Sequence, residues 1–211
     1  MISVVVPVHD EDRSVELLYD ELASALDPLE RPWEAVFVDD GSTDGSFAAL
    51  TRLHGRAPNV RVVRLRRNFG KSAALAAGFR HAEGSVVVTI DADLQDDPAE
   101  IPRLLANLDE GFDLVSGWKV QRRDPWSRRL VSRIFNSVAG RASGLKLHDM
   151  NCGLKAYRAE VVRSLRIYGE LHRFLPVLAH DRGFRVAELP VNHRPREHGR
   201  SRYGVERYMR G

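Results

Sequence analysis

Short β-branched apolar runs, Ile2–Val8, Ala35–Val38, Val60–Leu65, Val86–Ile90 and Phe112–Val115, alternate in the first half of the chain with helix-period segments at about 11–26, 44–56, 70–83 and 98–110. A strand that returns to its own direction through a helix builds a parallel sheet. The run Val86-Val87-Val88-Thr89-Ile90 is apolar at both odd and even positions, the pattern of a strand covered on both faces. An α/β fold follows, with a mostly parallel central sheet and helices on both of its faces.

The second half continues less regularly. A helix is expected over Pro125–Ser143, a turn at Gly144–Asn151, a strand at Gly153–Tyr157, helices near 159–166 and 172–182, and a last strand at Arg185–Val191. No repeat or low-complexity linker divides the chain, so its 211 residues read as one domain, with halves 1–117 and 118–211 around one core. At 43% hydrophobic and 29% charged residues, the composition is that of a globular protein rather than a disordered one. No stretch approaches the 18 or so apolar residues of a membrane span. Met1-Ile2-Ser3-Val4 does not open like a secretory signal, and Cys152, the single cysteine, excludes an internal disulfide and a cysteine-rich zinc site. A cytoplasmic protein is expected.

The net charge of +3 conceals an asymmetry. Residues 1–110 hold 11 Lys and Arg against 20 Asp and Glu, a net of −9, whereas residues 111–211 hold 21 against 9, a net of +12. One side is suited to a cation and the other to an anionic partner: phosphate, nucleic acid or a lipid surface.

Open parallel sheets bind ligands beyond the carboxyl ends of their strands. Acidic residues follow three of the strands there: His9-Asp10-Glu11, Asp39-Asp40-Gly41-Ser42-Thr43-Asp44, and Asp91-Ala92-Asp93-Leu94-Gln95. If the backbone stays extended past Ile90, Asp91 and Asp93 share a face, and two adjacent carboxylates call for a cation. Mg²⁺ or Mn²⁺ suits them, completing its shell with phosphate oxygens and water. The ordinary alternative, helix capping, is met by Asp97-Pro98-Ala99-Glu100, which leaves Asp91 and Asp93 for a ligand. Ser42 or Asp44 is expected to cap the second helix, and Asp40 remains to accept from a base or ribose.

Together, Val5-Val6-Pro7-Val8-His9-Asp10-Glu11, Val38 to Asp44, Arg67-Asn68-Phe69-Gly70-Lys71 and Asp91 to Gln95 resemble family 2 glycosyltransferases of the Rossmann-like GT-A fold. Asp149 to Lys155, Gly169 to Phe174 and Gly199-Arg200-Ser201-Arg202-Tyr203 are similar to the branch that glycosylates polyprenyl phosphates, which includes dolichol-phosphate mannose synthase and bacterial undecaprenyl-phosphate sugar transferases. The resemblance implies that Pro7, His9, Glu11 and Asp40 surround the nucleotide and that Asp91, Asp93 and Gln95 hold the metal on the sugar-nucleotide diphosphate. His9-Asp10 stands where the family commonly has Tyr-Asn, so GDP-mannose and UDP-glucose type donors both stay open.

Lys119, Arg122, Arg123, Arg128 and Arg129 form a basic cluster suited to phosphate oxygens. On a helix, Trp126, Leu130, Val131, Ile134, Phe135 and Val138 share one side and Arg128, Arg129 and Arg133 the other, a pattern that fits a membrane interface or a core-facing helix equally. By the resemblance, Arg128 and Ser132 match the acceptor-phosphate pair and Lys119 a position often filled by Arg. A phosphate monoester is largely dianionic at neutral pH and needs no general base. The expected work is therefore positioning and charge neutralisation, by Asp93 through the metal, Arg128 on the acceptor, and Arg196, Arg200, Ser201 and Arg202 of the tail on the diphosphate. The expected function is inverting transfer of a hexose to a polyprenyl phosphate at the cytoplasmic face of the membrane. The alternatives are a carbohydrate hydroxyl acceptor, for which Glu170 lies near the place of a base, and an arginine-rich nucleic-acid-binding module, which leaves the strand-end carboxylates without a purpose. His148, His172, His193 and His198 do not form a zinc set, and Cys152 reads as a small buried apolar residue.

Overall fold

The computed structural model describes residues 1–119, 144–145 and 147–195. Its strands are β1 (Ile2–Val8), β2 (Trp33–Asp39), β3 (Val60–Arg64), β4 (Val86–Thr89), β5 (Leu114–Lys119), β6 (Lys155–Arg158) and β7 (Val186–Val191). Its helices are α1 (Val15–Leu26), α2 (Ser46–Arg56), α3 (Lys71–His81), α4 (Ile101–Asp109), α5 (Ala159–Ser164) and α6 (Leu175–Asp181). The expected helix Pro125–Ser143 lies outside the described residues.

The strands form one sheet in the order β3-β2-β1-β4-β6-β5-β7. All run parallel except β6, which is antiparallel to both β4 and β5. Valines alternate across β1: Val4, Val6 and Val8 join Leu18, Leu22, Leu50 and Leu104 on one face, and Val5 joins Leu75, Phe79 and Tyr157 on the other. Because each face is covered, the central strands need apolar residues at every position rather than at alternate ones. In α1 the buried residues Val15, Leu18, Leu22 and Leu26 recur at helical spacing, so one stripe meets the sheet.

Where the structure departs from the sequence-based boundaries, side-chain competition or strand pairing is the cause. Helix α1 starts at Val15 rather than near 11, because Asp10 takes a left-handed conformation (φ 55°) and its Oδ1 accepts the amides of Thr43 at 2.7 Å and Asp44 at 3.3 Å. Strand β5 is displaced from Phe112–Val115 to Leu114–Lys119, where every residue pairs in register with Val186–Val191. The segment expected as one helix over 172–182 is a 3₁₀ turn, Leu171–Phe174, followed by α6, which carries Pro176 in its first turn.

From β1 the chain proceeds to β2 and β3 on one side, while β4 lies on the other. Strand order thus reverses between β1 and β4, the place where an open α/β sheet leaves a crevice beyond its strand ends. Pro7, near the end of β1, and the residues following β4 border that crevice.

Candidate functional site

The β1 and β2 ends are tied together by side chains acting on backbone. The Asp10 amide donates to Ser42 Oγ at 3.0 Å and the Glu11 amide to Ser46 Oγ at 2.7 Å. Ser42 is therefore used in holding the β1 loop rather than in capping α2, whereas Asp44 Oδ1 accepts the Ser46 amide at 2.9 Å at the start of that helix. His9 is partly exposed, with Nε2 3.7 Å from Asp10 Oδ2, and Glu11 Oε2 accepts from Ser14 Oγ at 3.1 Å. Pro7 is half-buried opposite Val38.

Asp40 is buried, and its two oxygens accept the amides of Phe69 at 2.7 Å and Gly70 at 2.9 Å. The carboxylate thus fixes the loop leading into α3. That loop crosses Gly41 so closely that a Cβ there would lie 2.3 Å from the Arg67 carbonyl carbon; Gly41 also has φ +64°.

Beyond β4 the expected extended backbone is not found. The strand ends at Thr89, Ala92 and Asp93 form a turn, and Leu94 is left-handed (φ 61°) with its side chain buried. Asp91 and Asp93 are consequently not related as alternate residues of a strand. Asp91 Oδ1 lies 2.5 Å from Lys71 Nζ, and Asp93 Oδ1 accepts the Gln95 amide at 3.2 Å. Both carboxylates therefore have partners within the protein. Gln95 accepts the Arg194 amide through its carbonyl at 2.8 Å, and its Nε2 donates to the Arg194 carbonyl at 3.5 Å.

Among the described residues no group of three or more His, Cys, Asp or Glu is arranged to hold a metal. Asp91, Asp93 and Gln95 are nonetheless partly exposed oxygen donors on one turn. They fit a hard cation that takes one or two protein carboxylates and draws its other ligands from phosphate and water. Lys71 supplies positive charge to Asp91.

Sequence reasoning missed the carboxylate behind this turn. Asp96 is 1% exposed and its Oδ1 lies 2.8 Å from Lys119 Nζ and 3.7 Å from His193 Nδ1. Burial opposes the Asp96 charge, but Lys119 and His193 outweigh it and hold the carboxyl well below the usual range. Lys119 is likewise opposed by burial and held up by Asp96. Lys119, expected at the acceptor phosphate, is thus placed in a buried ion pair. The β6 segment passes so close that a Cβ on Gly153 would lie 2.6 Å from Asp91 Oδ2 and 2.7 Å from Asp96 Oδ2.

Arg194 ties the segment after β7 to α1 and to the Asp97 cap: NH1 donates to Glu21 Oε1 and Oε2 at 2.9 and 2.8 Å, and NH2 to Asp97 Oδ1 at 2.7 Å. Asp97 also accepts the Ala99 amide, as its capping pattern predicts. Glu170 pairs with Arg173 at 2.9 Å, and His148 stacks on Trp118 with ring centroids 4.0 Å apart. Cys152 is buried, and burial with the Asp96 charge pushes its thiol up to about 12. Arg122, Arg123, Arg128, Ser132, Arg196, Arg200, Ser201 and Arg202 lie outside the described residues.

Residues 3–166 match the model of glycosyl transferase family 2. The undecaprenyl-phosphate 4-deoxy-4-formamido-L-arabinose transferase of Edwardsiella ictaluri (strain 93-146) is 42% identical over 206 residues, covering 97% of this chain and 63% of that protein. The dodecaprenyl-phosphate galacturonate synthase of Rhizobium johnstonii is 40% identical over 214 residues, covering 99% of this chain and 63% of that protein. The chain therefore spans less than two thirds of the length of these curated relatives. Among solved structures, glucosyl-3-phosphoglycerate synthase from Mycobacterium tuberculosis in complex with Mn²⁺ and UDP-glucose superimposes with a TM-score of 0.71 at 26% identity, covering 93% of this chain and 72% of that one. The same enzyme with phosphoglyceric acid gives a TM-score of 0.73 over 93% of this chain and 72% of that one.

Proposed function

Because the chain belongs to glycosyl transferase family 2, we propose that it is an inverting transferase that moves a sugar, of hexose type, from a nucleotide diphosphate donor to a polyprenyl phosphate. The observation that carries this reading is the crevice between the β1 and β4 ends, with Pro7, His9 and Glu11 on one lip and Asp91, Asp93 and Gln95 on the other. Mn²⁺ and UDP-glucose in the solved relative support a donor of this kind. The polyprenyl phosphates named for the two curated relatives support the acceptor.

In this reading Pro7, His9, Glu11 and Asp40 border the nucleoside, and Asp40 also fixes the neighbouring loop that leads into α3. A divalent cation, Mg²⁺ or Mn²⁺, held by Asp91, Asp93 and Gln95 would neutralise charge on the departing diphosphate. Arg196, Arg200, Ser201 and Arg202 share that task from the tail. Arg122, Arg123, Arg128 and Ser132 receive the acceptor phosphate, while Lys119 acts indirectly by neutralising Asp96 behind the metal-binding turn. A dianionic phosphate attacks without losing a proton, so the residues are required to align it and to exclude water.

A lipid acceptor brings the protein to the cytoplasmic face of a membrane; among the described residues no helix is long and apolar enough to cross one. The test is incubation of the chain with labelled UDP- and GDP-sugars, Mn²⁺ or Mg²⁺, and undecaprenyl phosphate. Label that enters the organic phase only when lipid phosphate is present supports the reading. Label transferred solely to water-soluble acceptors supports a hydroxyl acceptor instead.

A further inference from the structure

Behind Asp91, where β4 and β6 run side by side, the sheet opens into a small hole bordered by Lys71, Asp91, Gly153, Lys155 and His172. It has room for about one water-sized group. Two of these residues are lysines and one is an aspartate. The Lys71–Asp91 salt bridge uses one charge of each sign and leaves Lys155 over. Lys155 is 3% exposed and donates to the Cys152 carbonyl, and among the described residues no carboxylate forms a salt bridge with it. A carbonyl dipole offsets only part of the cost of desolvating an ammonium ion. Burial accordingly lowers the Lys155 pKa.

His172 borders the same hole. Its Nδ1 lies 2.9 Å from Ser72 Oγ, which also accepts the His172 amide at 3.1 Å. Its Nε2 has no hydrogen-bond partner, although the residue is 7% exposed. Burial, with the Lys71 and Arg173 charges, pushes the imidazole down to about 3, so the ring is neutral at physiological pH. When the Ser72 hydroxyl donates to Nδ1, the ring proton sits on Nε2, which becomes an unsatisfied donor facing the hole. Gly153 leaves the space open, since a Cβ there would press on Asp91.

Resting on the family 2 transfer reading above, we propose that this hole is a subsite for one anionic substrate oxygen, held by Lys155 Nζ and His172 Nε2. The oxygen belongs either to a carboxylate on the transferred sugar, as in a uronic acid, or to a phosphate. An anion there supplies the missing countercharge for Lys155 and the missing acceptor for His172 at once. A neutral sugar hydroxyl supplies only the second.

Calorimetric titration of the intact chain with UDP-galacturonic acid and UDP-galactose, each with Mn²⁺, tests the carboxylate source. Wild type is expected to favour the acid by at least about 10-fold, and Lys155→Met to reduce that ratio to within about 2-fold without weakening UDP-galactose. The phosphate source predicts instead that inorganic phosphate raises the melting temperature of nucleoside diphosphate-loaded wild type and not of Lys155→Met. His172→Phe, which removes the donor and retains an aromatic ring, replaces Lys155→Met if the latter fails to melt cooperatively. No Lys155- or His172-dependent response to either probe overturns the subsite. A chain that binds neither UDP nor GDP with Mn²⁺ overturns the transfer reading itself, a separate outcome.

Discussion

Asp96 and Lys119 form an ion pair at 2.8 Å, with side chains 1% and 14% exposed, so removing one partner strands a largely desolvated charge. Asp96→Asn leaves the Lys119 ammonium buried and unpaired, at a cost of about 3–5 kcal/mol. For a chain of this size each kcal/mol lowers the melting temperature by roughly 2–4 °C, giving a loss of about 6–20 °C. Lys119→Met is expected to cost less, because Asp96 can take up a proton and His193 Nδ1 remains 3.7 Å away. The double variant Asp96→Asn/Lys119→Met removes both charges and should lose clearly less than the sum of the singles, with a coupling above about 1 kcal/mol. The pH dependence follows from the direction of each shift. Asp96 is held below its ordinary 3.8, so its contribution is complete above that value and is lost as pH falls toward the folded-state pKa. Lys119 is held above its ordinary 10.5, so its contribution is complete below that value and is lost as pH rises toward the folded-state pKa. Wild type should therefore begin to lose its stability advantage over Asp96→Asn below about pH 4 and lose more as pH falls further. Urea unfolding of the three variants between pH 3 and 9 is the assay. Additive losses, or singles within about 1 kcal/mol of wild type, would refute the reasoning.

Donor binding by Asp93→Asn should lose most of its dependence on Mn²⁺ while the melting temperature changes little; unchanged metal-dependent affinity by calorimetry would remove Asp93 from the metal set. Arg128→Ala should lower transfer to undecaprenyl phosphate by at least about 10-fold with donor affinity within about 2-fold of wild type, and equal losses in both would put Arg128 on the nucleotide side. Cys152, buried and with its thiol pushed up to about 12, should resist a thiol-specific reagent at pH 8 until the chain unfolds; rapid labelling of the native protein would contradict its packing.

Much of the first half of the chain was legible because its signals are local. Val86–Ile90, apolar on both faces, can only be a covered strand, and the Asp97-Pro98-Ala99-Glu100 cap was read within four residues. Carboxylates directly after β1, β2 and β4 also mark the crevice, since strand ends follow from where an apolar run stops. Strand partners and ion pairs do not follow in that way. Strand β6 runs antiparallel because it enters between β4 and β5, and β5 reaches Lys119 because β7 pairs with it to the end. No periodicity within a strand records its neighbour's direction.

The chemistry of the crevice divides along the same line. Sequence alone determined which residue types stand at the strand ends, and so a set of carboxylates ahead of a basic second half. Only the tertiary structure decided that Asp91 meets Lys71, that Asp96 meets Lys119, and that His172 meets Ser72 across 100 residues. The physical reason is burial. A solvated carboxylate tolerates many neighbours, but one at 1% exposure must have a countercharge supplied by whatever strand the sheet order sets beside it.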